Sequence, residues 1–128
     1  MKLFEYQGKE LFRKYGIPIP NGNLVTNERD FAGLEYPLII KAQVPIGGRG
    51  KAGGIKKAKN LKDAKEKLSQ ILGMDVRGYT VSKVLAEEMA DIKKELYLSI
   101  SLDRSKRMPC IMASASGGMD IELSLIHI

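Results

Sequence analysis

The stretch KAQVPIGGRGKAGG, residues 41–54, limits what this chain can fold into more than any other part of it. Five glycines, a proline and three cationic side chains in fourteen positions do not suit the interior of a helix or a paired strand. Glycine gives up the most backbone entropy there, and proline lacks a donor. The flanks define what the stretch connects. YPLIIKAQV is an apolar, partly β-branched run entered at Pro37, and GGIKKAKN leaves on the far side as a second strand. Residues 43–54 are therefore expected to link a hairpin, with Lys41 at the end of a buried strand.

The rest of the chain reads as helices mixed with hairpin-linked strands. LFEYQGKELFRKYGIP sets Phe4, Leu11, Phe12 and Tyr15 at helical spacing, with Gly16 as a stop and Pro18 beyond, which predicts an amphipathic helix. YGIPIPNGN is a proline-marked connection and turn, and ERDFAGL a short helix. In NLKDAKEKLSQILG, Asn60 caps a helix whose buried stripe is Leu61, Ala64, Leu68, Ile71 and Leu72, ended by Gly73. YTVSKVLAEE reads as one strand. KELYLSISLD alternates Leu96, Leu98, Ile100 and Leu102 as a half-buried strand, RSKR turns, and MPCIMASAS is a further strand before a GGMD turn. This is an α+β pattern, not a regular βαβ succession.

Composition excludes several classes. With 44% hydrophobic and 28% charged residues, a core is available to a soluble domain. No run approaches the roughly 20 apolar residues that span a bilayer, and glutamates interrupt the N-terminal apolar run, so no signal peptide is expected. The single cysteine, Cys110, lies in an apolar run without a neighbouring histidine and is expected to be a buried reduced thiol, in keeping with a cytoplasmic location. The formal charge of +6 favours an anionic partner only weakly, because the basic residues are spread along the chain. No aromatic residue lies between Tyr36 and Tyr79, so the basic stretch carries no platform for stacking bases.

A lysine at the end of a buried strand beside a glycine-rich loop is one way to hold polyphosphate. The strand fixes the charge of Lys41, glycines admit close approach to backbone N–H groups, and Arg49 adds a forked donor. Lys51 and Lys56 contribute further charge. The loop is not a Walker A motif, since Gly50-Lys51 is followed by Ala52, and no helix follows to make a dinucleotide fingerprint. On these residues alone a phosphate loop, a solvated basic loop and an Arg-Gly nucleic-acid contact all stand. The acidic cluster AEEMADIKKE supplies Glu87, Glu88, Asp91 and Glu95, which could accept from ribose hydroxyls, hold a metal, or form a solvated turn.

Four segments, FEYQGKELFRKYGIPIP, IIKAQVPIGGRGKAGGIK, DIKKELYLSISLDR and MASASGGMDIE, together resemble the amino-terminal part of succinate–CoA ligase β subunits, which are ATP-grasp proteins. The resemblance runs from Met1 to about Glu122. It implies a truncated ATP-grasp fold over residues 1–122, the amino-terminal part of a two-subdomain nucleotide-binding unit. By the same resemblance Lys41 contacts ATP phosphates, Gly48, Arg49 and Gly50 form the closing loop, Glu87 lies on the hinge strand by base and sugar, and Glu95 accepts from nucleotide hydroxyls. Pro20 falls near the base. The chain departs from the family where a histidine often stands, at Pro45, and where a threonine often stands, at Ala90.

The implied activity is formation of succinyl-CoA, ADP and phosphate from succinate, CoA and ATP, through a phosphohistidine on a partner α subunit. Sibling ligases acting on malate or acetate share these features, and a small basic RNA-binding module is the alternative from another class. The resemblance implies neither a nucleic-acid nor a membrane partner, and no catalytic residue or metal ligand is assigned. The Mg2+ ligands are expected beyond the end of this chain, so the chain alone is expected to be inactive. The terminal LSLIHI, residues 123–128, is what the transposon-end string CTG TCT CTT ATA CAC ATC encodes. It is expected to be a non-native tail in which His127 has no function.

Overall fold

The computed structural model describes residues 2–117. The GGMD turn beyond Gly117, residues 118–122, and the tail with His127 lie outside the described residues. The chain forms two compact units, Met1–Ala90 and Asp91–Ile128.

The first unit opens with helix α1, Glu5–Lys14. The Gln7 side chain reaches back to accept from the Phe4 N–H at 2.9 Å. Glu5 in the first turn and Arg13 and Lys14 in the last suit the helix dipole. Gly16, at φ +74°, ends the helix in the left-handed conformation, and the Ile17 N–H closes back on the Phe12 carbonyl at 2.9 Å. Strand β1 is Gly22–Val25, followed by a 3-10 turn at Glu28–Phe31, β2 at Leu38–Ala42 and β3 at Ile55–Ala58. Helix α2, Leu61–Ile71, begins where the Asn60 side chain accepts from the Asp63 N–H at 2.9 Å. It stops at Leu72, followed by Gly73 at φ +82°. A two-residue turn at Arg77 and Gly78, both at positive φ, joins the short strands β4 (Asp75–Val76) and β5 (Tyr79–Thr80). Strand β6, Val84–Glu88, completes the unit.

The main sheet has the order β1-β6-β2-β3, and every pairing in it is antiparallel. The last strand of the unit is thus inserted between the first two. One sheet face presents Val25, Leu38, Ile40, Ala42, Ala58, Val84 and Ala86 to the core, where α2 adds Ala64, Leu68 and Ile71. Because side chains alternate along a strand, Gly22, Ile39, Lys41, Leu85 and Glu87 share the opposite face. The expected hairpin and both helices are present. The apolar stripe expected on α1 is not: the helix buries no residue, and Leu11, Phe12 and Tyr15 are exposed. On α2, Leu61 likewise faces solvent. The single strand expected over residues 79–88 is two, separated by a break in which Val81 turns into the core.

The second unit is the hairpin of β7, Tyr97–Asp103, and β8, Met108–Ser114. Asp103 orders its turn by accepting from the Ser105 and Lys106 N–H groups at 3.0 and 3.1 Å. Both strands lie where the sequence puts them, but β7 is not half-buried. Leu98, Ile100 and Leu102 are exposed, as is Ile111 opposite Ile100. Cys110 is exposed too, contrary to the expected buried thiol, because a two-stranded ribbon has no second layer to cover either face.

Candidate functional site

The non-core face of the main sheet carries a charged cluster at its β6–β2 seam. Lys41 pairs with Leu85 across this seam and Ile39 with Glu87, so Lys41 and Glu87 are diagonal neighbours within reach of a long side chain. The Lys41 ammonium donates to Glu87 Oε1 at 2.6 Å and to Glu5 Oε1 at 2.9 Å. Arg49 reaches out of the glycine loop and donates through Nη1 to Glu5 Oε2 at 2.6 Å and to the Ala42 carbonyl at 2.9 Å. Lys9 donates to Glu87 Oε2 and lies 3.4 Å from Glu5. Three cations thus share two carboxylates, leaving one positive charge over within the cluster.

Burial sharpens these interactions. Glu87 is only 2% exposed, so both of its oxygens depend on their lysine partners. For Glu5, burial pushes the carboxyl pKa up. The hydrogen bond and charge of Lys41, joined by those of Arg49, overcome this and hold it at about 2. Lys41 is the reciprocal case: burial lowers its pKa, and hydrogen bonds to Glu87 and Glu5 more than reverse that, raising it above the usual lysine value.

The loop that carries Arg49 is compact. The Ala52, Gly53 and Gly54 N–H groups donate to the Gly48, Gly50 and Arg49 carbonyls, and Gly54 returns its own carbonyl to the Ala42 N–H at 2.7 Å. Gly48 stands at φ +78°, so backbone conformation selects glycine there. Arg77 reaches the Gly47 carbonyl at 3.4 Å. Of the residues singled out from sequence, the structure brings Lys41, Arg49 and Glu87 together, with Gly48 and Gly50 in the loop beside them. Glu95 belongs to the second unit, where its carbonyl accepts from the Gly117 N–H at 3.1 Å. Pro20 lines a small cleft with Lys9, Arg13, Gly22 and Glu87.

Sequence reasoning missed Glu5, Lys9 and Gln43. Gln43 is buried, accepts from the Tyr6 N–H at 3.0 Å and donates to the Lys41 carbonyl at 3.2 Å, which ties α1 to the end of β2. Lys41 and Gln43, two apart on the strand, signal a polar face there, but nothing local says that α1 covers it. In the sequence Gly22 reads only as part of a turn. A Cβ at that position would fall 2.7 Å from the Ala86 carbonyl and 2.9 Å from Glu87 Cγ, so its missing side chain makes room for Glu87.

No group of three or more His, Cys, Asp or Glu side chains able to hold a metal occurs among the described residues. The oxygens of Glu5 and Glu87 are engaged by cationic side chains. These residues do not fit a magnesium ion. No helix among the described residues is long and apolar enough to cross a membrane.

A half-buried strand lysine, an arginine on a compact glycine hairpin and a buried carboxylate holding the lysine stand together on one face of an α+β unit. The chain belongs to the ATP-grasp domain family, whose model matches residues 2–124. It is 51% identical over 126 residues to the succinate–CoA ligase [ADP-forming] subunit beta of Halobacterium salinarum, covering 95% of this chain and 33% of that protein. Against the protein of the same name from Aquifex aeolicus it is 45% identical over 133 residues, covering 95% and 34%. The succinate–CoA ligase [GDP-forming] subunit beta of Thermus thermophilus is 45% identical over 126 residues, covering 95% and 33%. The chain therefore spans about a third of the length of these relatives. Among solved structures, ATP citrate lyase from Methanothrix soehngenii, in complex with citrate and coenzyme A, aligns with a TM-score of 0.73 and 29% identity over 93% of this chain and 33% of its own.

Proposed function

We propose that this chain is the nucleotide-binding, amino-terminal part of the β subunit of an acid–CoA ligase, with succinate as the acid. The observation that carries the reading is identity of 51% to a succinate–CoA ligase β subunit across 95% of the chain. In this reading Lys41 and Arg49 neutralise ATP phosphate oxygens, and the loop over Gly48, Arg49 and Gly50 closes beside them. Glu87 holds Lys41 at the strand end, next to the Pro20 cleft where the base and sugar lie, and Glu95 accepts from the nucleotide hydroxyls. These residues bind and orient. The phosphoryl acceptor is a histidine of an α subunit, the ions that accompany ATP are held outside the described residues, and the assembled enzyme works in the cytoplasm.

The test is calorimetric titration of ATP into the chain and into Lys41→Ala. Loss of the strand cation is expected to weaken ATP binding at least tenfold, as removal of a charge-assisted hydrogen bond does. Equal affinity in both proteins, or no binding at all, overturns the reading. The RNA-binding alternative gains nothing from the geometry, since Lys41 and Arg49 face carboxylates and do not form an open basic surface.

A further inference from the structure

The two cations assigned to phosphate are already bridged by a carboxylate. Glu5 gives one oxygen to Lys41 at 2.9 Å and the other to Arg49 at 2.6 Å. Two anionic oxygens joined through one central atom, one on an ammonium and one on a guanidinium, is also how a phosphate group would engage this pair. We infer that Glu5 is the internal counter-anion of the site, occupying the position of a nucleotide phosphate, so that nucleotide binding displaces it from Lys41 and Arg49. The inference rests on the nucleotide-binding reading above and adds a residue that sets affinity.

Three features of the structure make the displacement feasible. First, the helix that bears Glu5 has no buried residue. Polar contacts tie α1 to the sheet: the Tyr6 N–H to Gln43, Lys9 to Glu87, and the Lys83 ammonium over the Phe4 and Tyr6 rings at 4.8 and 5.2 Å. Shifting such a helix draws no buried side chain of its own out of the core. Second, each cation has a further partner besides Glu5. Glu87 holds Lys41 at 2.6 Å, and the Ala42 carbonyl holds Arg49 at 2.9 Å. Third, an open groove of about 320 Å³, lined in part by Val44, Pro45 and Gly47, leads to Glu5 and Arg49. A polyphosphate can approach the arginine along it.

The alternative role for Glu5 is a strut that positions Lys41 and Arg49 for the ligand, and the two roles predict opposite signs. A placeholder competes with phosphate, so removing its charge tightens binding; a strut helps phosphate, so removing it weakens binding. The experiment titrates ATP, and separately inorganic triphosphate, into the full chain, into Glu5→Gln and into Lys41→Ala. The expected result is three- to tenfold tighter binding of both ligands by Glu5→Gln. If Glu5→Gln binds as wild type or more weakly while Lys41→Ala abolishes binding, the counter-anion role is overturned and the nucleotide reading stands. If no protein binds either ligand, or binding does not depend on Lys41, both are overturned.

A second measurement needs no variant at Glu5. The Glu5 carboxyl carbon is followed by NMR as triphosphate is added to the wild-type chain. Displacement moves its resonance and raises its titration midpoint from about 2 towards that of a free carboxylate. A resonance unmoved at saturating triphosphate overturns the inference.

Discussion

Glu5 and Gly22 show how single residues act at this site through partners far along the chain. Glu5 titrates at about 2 in the folded protein against an ordinary 4.5, because Lys41 and Arg49 outweigh the effect of burial. The unfolded state therefore binds the extra proton first. The stability from this pairing is fully present above about pH 4.5 and is lost as the pH falls towards 2. Urea midpoints measured from pH 6 down to pH 3 should decline, and Glu5→Gln should decline less steeply while being about 1 kcal/mol less stable at neutral pH. Gly22→Ala places a methyl against the Ala86 carbonyl and Glu87. Overpacking of that kind costs about 1–3 kcal/mol, and calorimetry should show weakened ATP binding as Glu87 is pushed off Lys41. Neither residue was legible in the sequence as part of the site. A glutamate on a helix reads as solvated, and a glycine after Asn21 reads as a turn; Glu5 acquires its role from Lys41 on β2, and Gly22 from Glu87 on β6, only once the tertiary pairing is known.

The two helices differ in what holds them. Both sequences carry caps and apolar periodicity, and both fold where the pattern puts them. Yet α2 lays Ala64, Leu68 and Ile71 into the core, whereas α1 turns Leu11 and Phe12 outward and meets the sheet with Glu5, Tyr6 and Lys9. Periodicity gives the existence of an apolar face but not its direction, since that depends on which surface the helix is offered. The surface offered to α1 carries Lys41, Gln43 and Glu87, and a hydrophobic stripe against it would take away the partners that α1 gives these polar groups. Chemical denaturation of Leu68→Ala should show a loss of about 2–5 kcal/mol, while Phe12→Ser should change stability by less than about 0.5 kcal/mol. A large loss for Phe12→Ser would mean that the outer face of α1 is covered in solution.

At the scale of the whole chain, the first unit closes a core and the second does not. The β7–β8 ribbon pairs Ile100 with Ile111 and leaves both exposed, together with Leu98 and Leu102. A contiguous apolar face of this kind favours association, and an isolated two-stranded ribbon is marginal in water. The chain is accordingly expected to self-associate, and Ile100→Lys with Ile111→Lys should lower its weight-average mass in sedimentation at a fixed concentration. An unchanged mass would assign the association to another surface. The sequence by itself determined the local elements: the Asn60 cap, the apolar run of β2, the alternation in β7, and the glycine hairpin that brings Arg49 back beside Lys41. These follow from steric and hydrogen-bonding rules acting over a few residues. Only the tertiary structure decided which charges meet. Insertion of β6 between β1 and β2 brings Glu87 to Lys41 across 46 residues, and α1 adds Glu5 across 36. Coulomb attraction makes any of the chain's carboxylates a suitable partner for Lys41, and it is the strand register that selects Glu87 and the placement of α1 that selects Glu5.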